Sequence, residues 1–177
     1  VYNDPWVAAY RGPDEGERRM KVDQISSGPD KGQEVPGWTD SAADSDLVLC
    51  FWSGPDDWVA PLLKKVSDVH AGGCVVGCST AGEIVGQEVS EGTLSMTRAC
   101  FSDPDSRCKS VAVSLNAHES SYEAGVALAG TLEHQGLRHV LVLSDGLAVN
   151  GSDLAKGMNT ELPDNVTVTG GLAGDMD

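Results

Sequence analysis

An apolar run that ends in small residues and an acid constrains this chain more than any other feature. The run reads Val-Val-Gly-Cys-Ser-Thr-Ala-Gly-Glu over residues 75–83. A weaker copy, Val-Thr-Gly-Gly-Leu-Ala-Gly-Asp, occupies residues 168–175. Continuous apolar residues are typical of a buried strand, and glycines permit a turn or a close backbone approach. Both segments therefore predict a buried strand that runs into a glycine turn.

The two segments align without a gap at a shift of 92 residues (175 − 83 = 92), so that residues 81–83 fall on residues 173–175. The same shift aligns other apolar and glycine positions: Val48 with Val140, Leu49 with Leu141, Gly54 with Gly146, Leu62 with Leu154 and Val66 with Met158. Strand, helix and second strand recur in one register, which predicts an internal duplication of a βαβ unit. The alternative is that any two βαβ units share such a pattern.

Apolar periodicity predicts an α/β fold, with a mixed β-sheet, packed helices and two βαβ-plus-hairpin units. Helices are expected from about residue 57 to 70, from 120 to about 135, and from about 151 to 162. After the first glycine turn and a polar turn over 86–92, strands over 93–101 and 109–115 are expected to form a hairpin. Residues 1–45 are rich in proline and glycine and predict an irregular arm. The folded domain should therefore cover residues 46–177 and be incomplete at its C-terminal side.

The bulk chemistry excludes several classes of partner. The 12 basic and 27 acidic residues give a net charge of −15, which disfavours nucleic acid and acidic membrane surfaces. No apolar stretch approaches the roughly 20 residues that span a bilayer. The five cysteines are odd in number and lie mostly in apolar runs, which favours free thiols in the cytoplasm. No second Cys/His pair follows Cys74 and Cys78, so no metal site is predicted.

The glycine segments do not favour an enzyme. A phosphate-binding loop opens a helix, whereas the first glycine turn here precedes predicted strands, and neither dinucleotide nor P-loop spacing is present. Cys78 or Ser79 would sit on a tight turn as a nucleophile does, but none of the four histidines lies in a recognisable catalytic motif. The sequence therefore predicts no catalytic residues.

Three ordered motifs resemble the N-terminal part of the FIST family, named for F-box and intracellular signal transduction proteins. They are Gly-Cys-Ser-Thr-Ala-Gly-Glu-Ile over 77–84, Leu-Ser-Asp-Gly over 143–146 with Asn150-Gly151, and Gly-Gly-Leu-Ala-Gly-Asp over 170–175. The resemblance implies a small-ligand sensory domain in the cytoplasm, with amino acids as proposed ligands. It also implies two further features of some bacterial relatives, haem-based nitric oxide sensing and partnership with signalling kinases or cyclic-dinucleotide enzymes.

The paired motifs predict a ligand site if the two glycine turns face one cleft. Glu83 and Asp175 would attract an ammonium group, while turn N–H groups with Ser79 and Thr80 would hold a carboxylate. An amino-acid-like zwitterion satisfies both ends. The full set of predicted ligand-binding residues is Cys78, Ser79, Thr80, Gly82, Glu83, Asp145, Gly171, Gly174 and Asp175. Three alternatives stay open: acids that only cap surface turns, a haem site, and a protein-interaction module without a small ligand.

Overall fold

The computed structural model of the chain describes residues 6–11, 20–28 and 47–174. The element order is β1 (Trp6–Arg11), β2 (Met20–Ser27), β3 (Leu47–Trp52), α1 (Asp56–Val69), β4 (Cys74–Ser79), β5 (Glu83–Val85), β6 (Glu88–Ser90), β7 (Leu94–Phe101), β8 (Arg107–Ala112), α2 (Ser121–Gly130), β9 (Leu137–Asp145), α3 (Gly151–Glu161) and β10 (Thr167–Ala173). This confirms the predicted α/β class. Within these ranges, no helix is both long and apolar enough to cross a bilayer.

The chain divides into two compact units. The first unit draws on Val1–Gly16 and Asp105–Ala173, and the second on Glu17–Pro104 and Gly174–Asp177. Each unit therefore combines segments that are distant in sequence. This division does not follow the predicted boundary between residues 45 and 46.

The first unit contains a four-stranded mixed sheet in the order β10-β9-β1-β8. Strand β10 runs parallel to β9, whereas β1 is antiparallel to both β9 and β8. Alternation along the strands sends one set of apolar side chains into a core shared with α2 and α3. This core includes Val7, Ala9, Val140, Val142, Leu128, Leu154 and Met158.

Helices α2 and α3 touch through two glycines. A Cβ atom on Gly125 would lie 2.2 Å from the carbonyl oxygen of Leu154, and one on Gly157 would lie 2.1 Å from that of Tyr122. Only glycine permits this backbone approach. Helix α3 is thereby held against α2 while it covers the parallel pair β9–β10.

The second unit contains a four-stranded sheet in the order β2-β7-β3-β4 and a two-stranded β5–β6 hairpin. Strands β3 and β4 are parallel and are joined by α1, while β7 is antiparallel to β3 and β2. Helix α1 buries Val59, Leu62 and Val66, spaced three and four residues apart as an amphipathic helix requires. Their core partners on the sheet are Val48, Cys50, Trp52, Leu94 and Met96.

Both sheets contain a parallel pair with a helical crossover, followed by two antiparallel strands. The first strands and helices bury the aligned pairs Val48 and Val140, Leu62 and Leu154, and Val66 and Met158. The second strands of the two parallel pairs differ in register by one residue from the 92-residue alignment. Cys50 pairs with Gly77, whereas Val142, its aligned counterpart, pairs with Gly170. Gly170 lies one residue beyond the position that the 92-residue shift assigns. The ungapped alignment thus ends before the second strands, and duplication stays a prediction.

Gly77 lies within β4, as expected, but Gly170 and Gly171 lie within β10, so the predicted turn at Gly170 is wrong. Gly82 and Gly174 lie outside the strands, each just beyond a strand end or a short bend. A Cβ atom on Gly77 would lie 2.0 Å from the carbonyl oxygen of Cys50. A Cβ atom on Gly170 would lie 2.0 Å from the carbonyl oxygen of Val142. Glycine is required at both positions because the paired strands approach closely. This close backbone approach is the second role that the sequence predicts for the glycines, besides a turn.

The prediction of an irregular arm over residues 1–45 is wrong for β1 and β2. Strand β1 lies inside the first sheet between β9 and β8, and Val7 and Ala9 are buried there. Strand β2 forms an edge of the second sheet beside β7. Each segment is short and only weakly alternating, so its strand conformation depends on distant partners.

The predicted hairpin between residues 93–101 and 109–115 does not form. Strand β7 pairs with β3 and β2 in the second sheet, whereas β8 pairs with β1 in the first. The chain leaves the second unit after Pro104, between these two strands. A different hairpin, β5–β6, occupies much of the predicted polar turn. Two four-stranded sheets therefore replace the single sheet that was expected.

Candidate functional site

A pocket of about 280 Å³ lies in the first unit between α3 and the parallel pair β9–β10. It is lined by Val142, Ser144, Gly151, Leu154, Ala155, Met158, Val168, Thr169, Gly170, Gly171 and Leu172. Ligands of open α/β sheets bind at the carboxyl ends of parallel strands, and this pocket reaches that end of β9 and β10. Its volume is just below the roughly 300–1,000 Å³ of typical ligand pockets, so it would admit only a small molecule.

The pocket is lined mostly by apolar side chains, among them Val142, Met158 and Val168. Ser144 and Gly151, the first residue of α3, lie toward the carboxyl ends of the strands, beside the apolar side chain of Leu172. None of the described residues that line the pocket carries a formal charge.

Ser144 contributes a buried hydroxyl to this pocket. The residue is 4% exposed, and within the described ranges its Oγ atom has no hydrogen-bond partner. An unsatisfied buried polar group costs about 1–3 kcal/mol. Such groups are uncommon in native structures and concentrate at functional sites. A ligand that accepts or donates a hydrogen bond at Ser144 would remove this cost.

Sequence periodicity does not single out Ser144, because Ser144-Asp145-Gly146 is a pattern typical of a turn. Residue 144 instead belongs to β9, which continues to Asp145. The available signal was a hydroxyl at the carboxyl end of an apolar strand. That signal is weak, since many strands end in serine.

Trp52 occupies the position in the second unit that Ser144 occupies in the first. The two residues are 92 positions apart, and each pairs with the second strand of its parallel pair, Trp52 with Ser79 and Ser144 with Leu172. The indole of Trp52 is 7% exposed and belongs to the core that includes Val59 of α1. A large ring therefore fills the space under α1, whereas serine leaves space under α3.

Glu83 is buried in the second unit, where its carboxylate accepts hydrogen bonds from three hydroxyl groups. Thr80 Oγ1 donates to Oε1 at 2.7 Å, and Ser53 Oγ donates to Oε2 at 3.0 Å. Thr93 Oγ1 also donates to Oε2. Ser53 accepts from the Gly92 N–H at 2.8 Å. This network ties the start of β5 to the end of β3 and the start of β7.

The network bears on two predicted ligand-binding residues. Glu83 is 2% exposed, so the alternative of an acid that caps a turn at the surface does not hold for it. The Thr80 hydroxyl donates its hydrogen bond to the same carboxylate. A ligand role for Glu83 and Thr80 stays a prediction, but both side chains have structural partners.

Cys78 and Ser79 end β4 and are half-buried, and Gly82 follows them in the same unit. Burial raises the pKa of the Cys78 thiol to about 11. A nucleophilic cysteine requires the opposite shift, because the thiolate is the reactive form. The described ranges contain no group of three His, Cys, Asp or Glu residues placed to hold a metal ion.

The other predicted residues lie near the end of β9 and β10. Asp145 Oδ1 accepts from the N–H groups of Leu147 at 2.7 Å and Ala148 at 2.6 Å, so this carboxylate shapes the turn into α3. Gly171 lines the pocket, and it is the one residue placed there among the predicted residues that the structure describes. Gly174 is exposed after β10, and Asp175 lies outside the described residues. A cleft shared by both glycine motifs stays a prediction.

A comparison with protein-family models identifies the family of this chain. The model of the FIST N domain matches residues 46–177, from just before β3 to the end of the chain. The chain belongs to the FIST family. FIST domains are sensory domains of signal transduction proteins. Strands β1 and β2 precede the matched range, although β1 lies inside the sheet that carries the pocket. No curated protein and no solved structure matches the chain.

The pocket of this FIST domain does not fit haem. A haem sensor requires an axial ligand such as His, Cys or Tyr. None of the described residues that line the pocket is one of these, and about 280 Å³ is small even for drug-sized ligands. The haem alternative therefore has no support from this site.

Proposed function

We propose that this FIST domain senses a small amino-acid-like ligand bound between α3 and β10. The observation that carries the proposal is Ser144, a residue in the wall of a mostly apolar pocket whose buried hydroxyl has no hydrogen-bond partner among the described residues. FIST domains are sensory domains, and a sensory domain requires a ligand or signal to detect. The small volume limits the size of that ligand.

The polarity of the pocket sets the orientation of the ligand. Its carboxylate would accept a hydrogen bond from Ser144 and lie at the N-terminus of α3, where the helix dipole favours an anion. Its side chain would pack against Val142, Leu154 and Met158. A ligand held in this way contacts α3 and β10 together and stabilises their packing by mass action. The output would pass to a signalling kinase or a cyclic-dinucleotide enzyme, as the family resemblance implies.

Isothermal titration calorimetry with a panel of L-amino acids tests the proposal. The wild-type protein is expected to bind one or more members, and Ser144→Trp, which introduces the residue found at the corresponding position of the second unit, is expected to bind none. Ser67→Trp places the same ring at an exposed position of α1 and serves as the matched control. Circular dichroism checks that both variants fold.

Absence of binding to every amino acid by the wild-type protein would refute the proposal and leave the protein-interaction alternative. Equal binding by Ser144→Trp and the wild-type protein would refute the assignment of the pocket.

A further inference from the structure

Among the described residues, the pocket offers groups for a carboxylate but no acid for an ammonium group. We infer that it recognises a short aliphatic carboxylate and does not require the amino group of an amino acid. The inference rests on the proposed function, because it concerns the same pocket and narrows the chemistry of its ligand.

The carboxylate end has two independent features. Helix α3 has 11 residues and begins at Gly151, which lines the pocket, so about half a positive charge lies at this end. Asn150 Oδ1 accepts from the N–H groups of Ser152 and Asp153, so these two groups already have an acceptor, and only the helix dipole of this turn would act on a carboxylate. The second feature is the Ser144 hydroxyl, which is buried in the pocket wall without a partner in the described residues.

Two described carboxylates that lie close to the pocket in sequence, Asp145 and Asp153, have other partners. Asp145 follows Ser144 on β9, so alternation sends its side chain to the opposite face of the sheet. Its Oδ1 atom accepts two backbone N–H groups of the following turn. Asp153 forms an ion pair with Lys156 at 3.1 Å on α3. Neither acid is among the residues that line the pocket.

An ammonium group inside this pocket would lose hydration without gaining a charged partner, which is unfavourable. The amino group of a bound amino acid must then point to the solvent or contribute nothing. The apolar part favours an aliphatic tail, because Val142, Leu154 and Met158 supply only hydrocarbon and thioether surface. Met158 lies seven residues beyond Gly151, about 10 Å along the helix axis, which suits a short chain.

Four probes with related skeletons test the inference by calorimetry on the full chain. L-valine carries both charged groups, isovalerate lacks the amino group, isobutylamine lacks the carboxylate, and valinamide neutralises it. Isovalerate is expected to bind within about threefold of L-valine. Isobutylamine and valinamide are expected to bind at least about tenfold more weakly, since a charged hydrogen bond is lost.

Two variants locate the recognised group. Ser144→Ala is expected to weaken L-valine and isovalerate alike, by about tenfold or more. Asp145→Asn, whose amide oxygen can still accept the turn N–H groups, is expected to change both affinities by the same factor.

The outcomes separate this inference from the proposed function. The amino group is recognised if L-valine binds and isovalerate does not, or if Asp145→Asn selectively loses L-valine binding. Either result would overturn this inference and leave the proposed function standing. Binding of isovalerate without L-valine or any other amino acid of the panel would uphold the carboxylate site and overturn the amino-acid function. Binding of neither probe, nor of any other amino acid or short carboxylate, would overturn both.

Discussion

Replacement of Ser144 by alanine should make the unliganded domain more stable. The wild-type residue is 4% exposed, and its Oγ atom lacks a partner in the described residues, at a cost of about 1–3 kcal/mol. Alanine removes the hydroxyl and creates almost no cavity. The free energy of unfolding should therefore rise by about 1–3 kcal/mol, which corresponds to about 2–4 °C in melting temperature for each kcal/mol at this chain length.

Ser106→Ala is the matched control within the same unit. Ser106 is fully buried like Ser144, but its hydroxyl lies 2.9 Å from the Tyr10 hydroxyl in a hydrogen bond. Loss of that bond should lower the free energy of unfolding by about 0.5–1.5 kcal/mol. The same substitution thus has opposite signs at the two serines, because one hydroxyl has a partner and the other does not.

Urea denaturation followed by far-ultraviolet circular dichroism measures both effects, with an unchanged m-value as the condition for comparison. A saturating ligand should narrow the difference between Ser144→Ala and the wild-type protein by at least about 1.4 kcal/mol, because the expected tenfold loss of affinity reduces the stabilisation of Ser144→Ala by that amount. The reasoning is refuted if Ser144→Ala loses as much stability as Ser106→Ala. That result would mean that the Ser144 hydroxyl is satisfied in the unliganded protein.

Three further changes test the fold. Gly170→Ala should lower the free energy of unfolding by about 1–3 kcal/mol, because the new Cβ atom would lie 2.0 Å from a carbonyl oxygen. Gly171→Ala, whose Cβ atom would have nothing within 4 Å, should leave the free energy of unfolding unchanged or raise it by up to about 1 kcal/mol. Equal urea midpoints for the two variants would contradict this prediction. Glu83→Gln should cost about 1.5–3 kcal/mol, because an amide cannot accept all three hydroxyl protons; an unchanged melting temperature would argue against the network. Burial lowers the pKa of His139 below its usual 6.5, so the unfolded chain binds the proton more readily. The free energy of unfolding should therefore fall as the pH drops below about 7.5 and through the lowered folded-state pKa. His139→Gln should flatten that fall, and an identical pH profile would exclude His139 as its source.

Local signals in the sequence were sufficient for the helices that carry the site. Helix α3 begins at Gly151 and ends at Glu161, within a residue of its predicted limits, because Asn150 caps it and Leu154 and Met158 face one side. Helix α1 begins at Asp56, one residue before its expected start. At the start of α2, Ser120 accepts from the Glu123 N–H at 3.2 Å, as the capping pattern predicts. The end of α2 was placed five residues too late, since Gly130 ends it.

The candidate site was only partly predictable. Gly171 was assigned to a ligand site from its motif and does line the pocket. Ser144 was missed, because its importance lies in burial without a partner, and sequence periodicity does not report hydrogen bonds. Glu83 was interpreted as a group that faces a ligand, yet three hydroxyls from separate segments surround it. Such convergence of distant residues has no local sequence signature.

What the sequence determined by itself is the order of helices and strands around each parallel pair, and the close backbone approach at Gly77 and Gly170. These properties depend on neighbouring residues, through amphipathic spacing, caps and the absence of a side chain. Only the tertiary structure decided that β1 completes the first sheet, that β7 and β8 belong to different sheets, and that serine rather than tryptophan leaves a pocket under α3. The physical reason is that strand pairing and burial are set by partners far away in the chain, and the free energy of those contacts outweighs weak local preference.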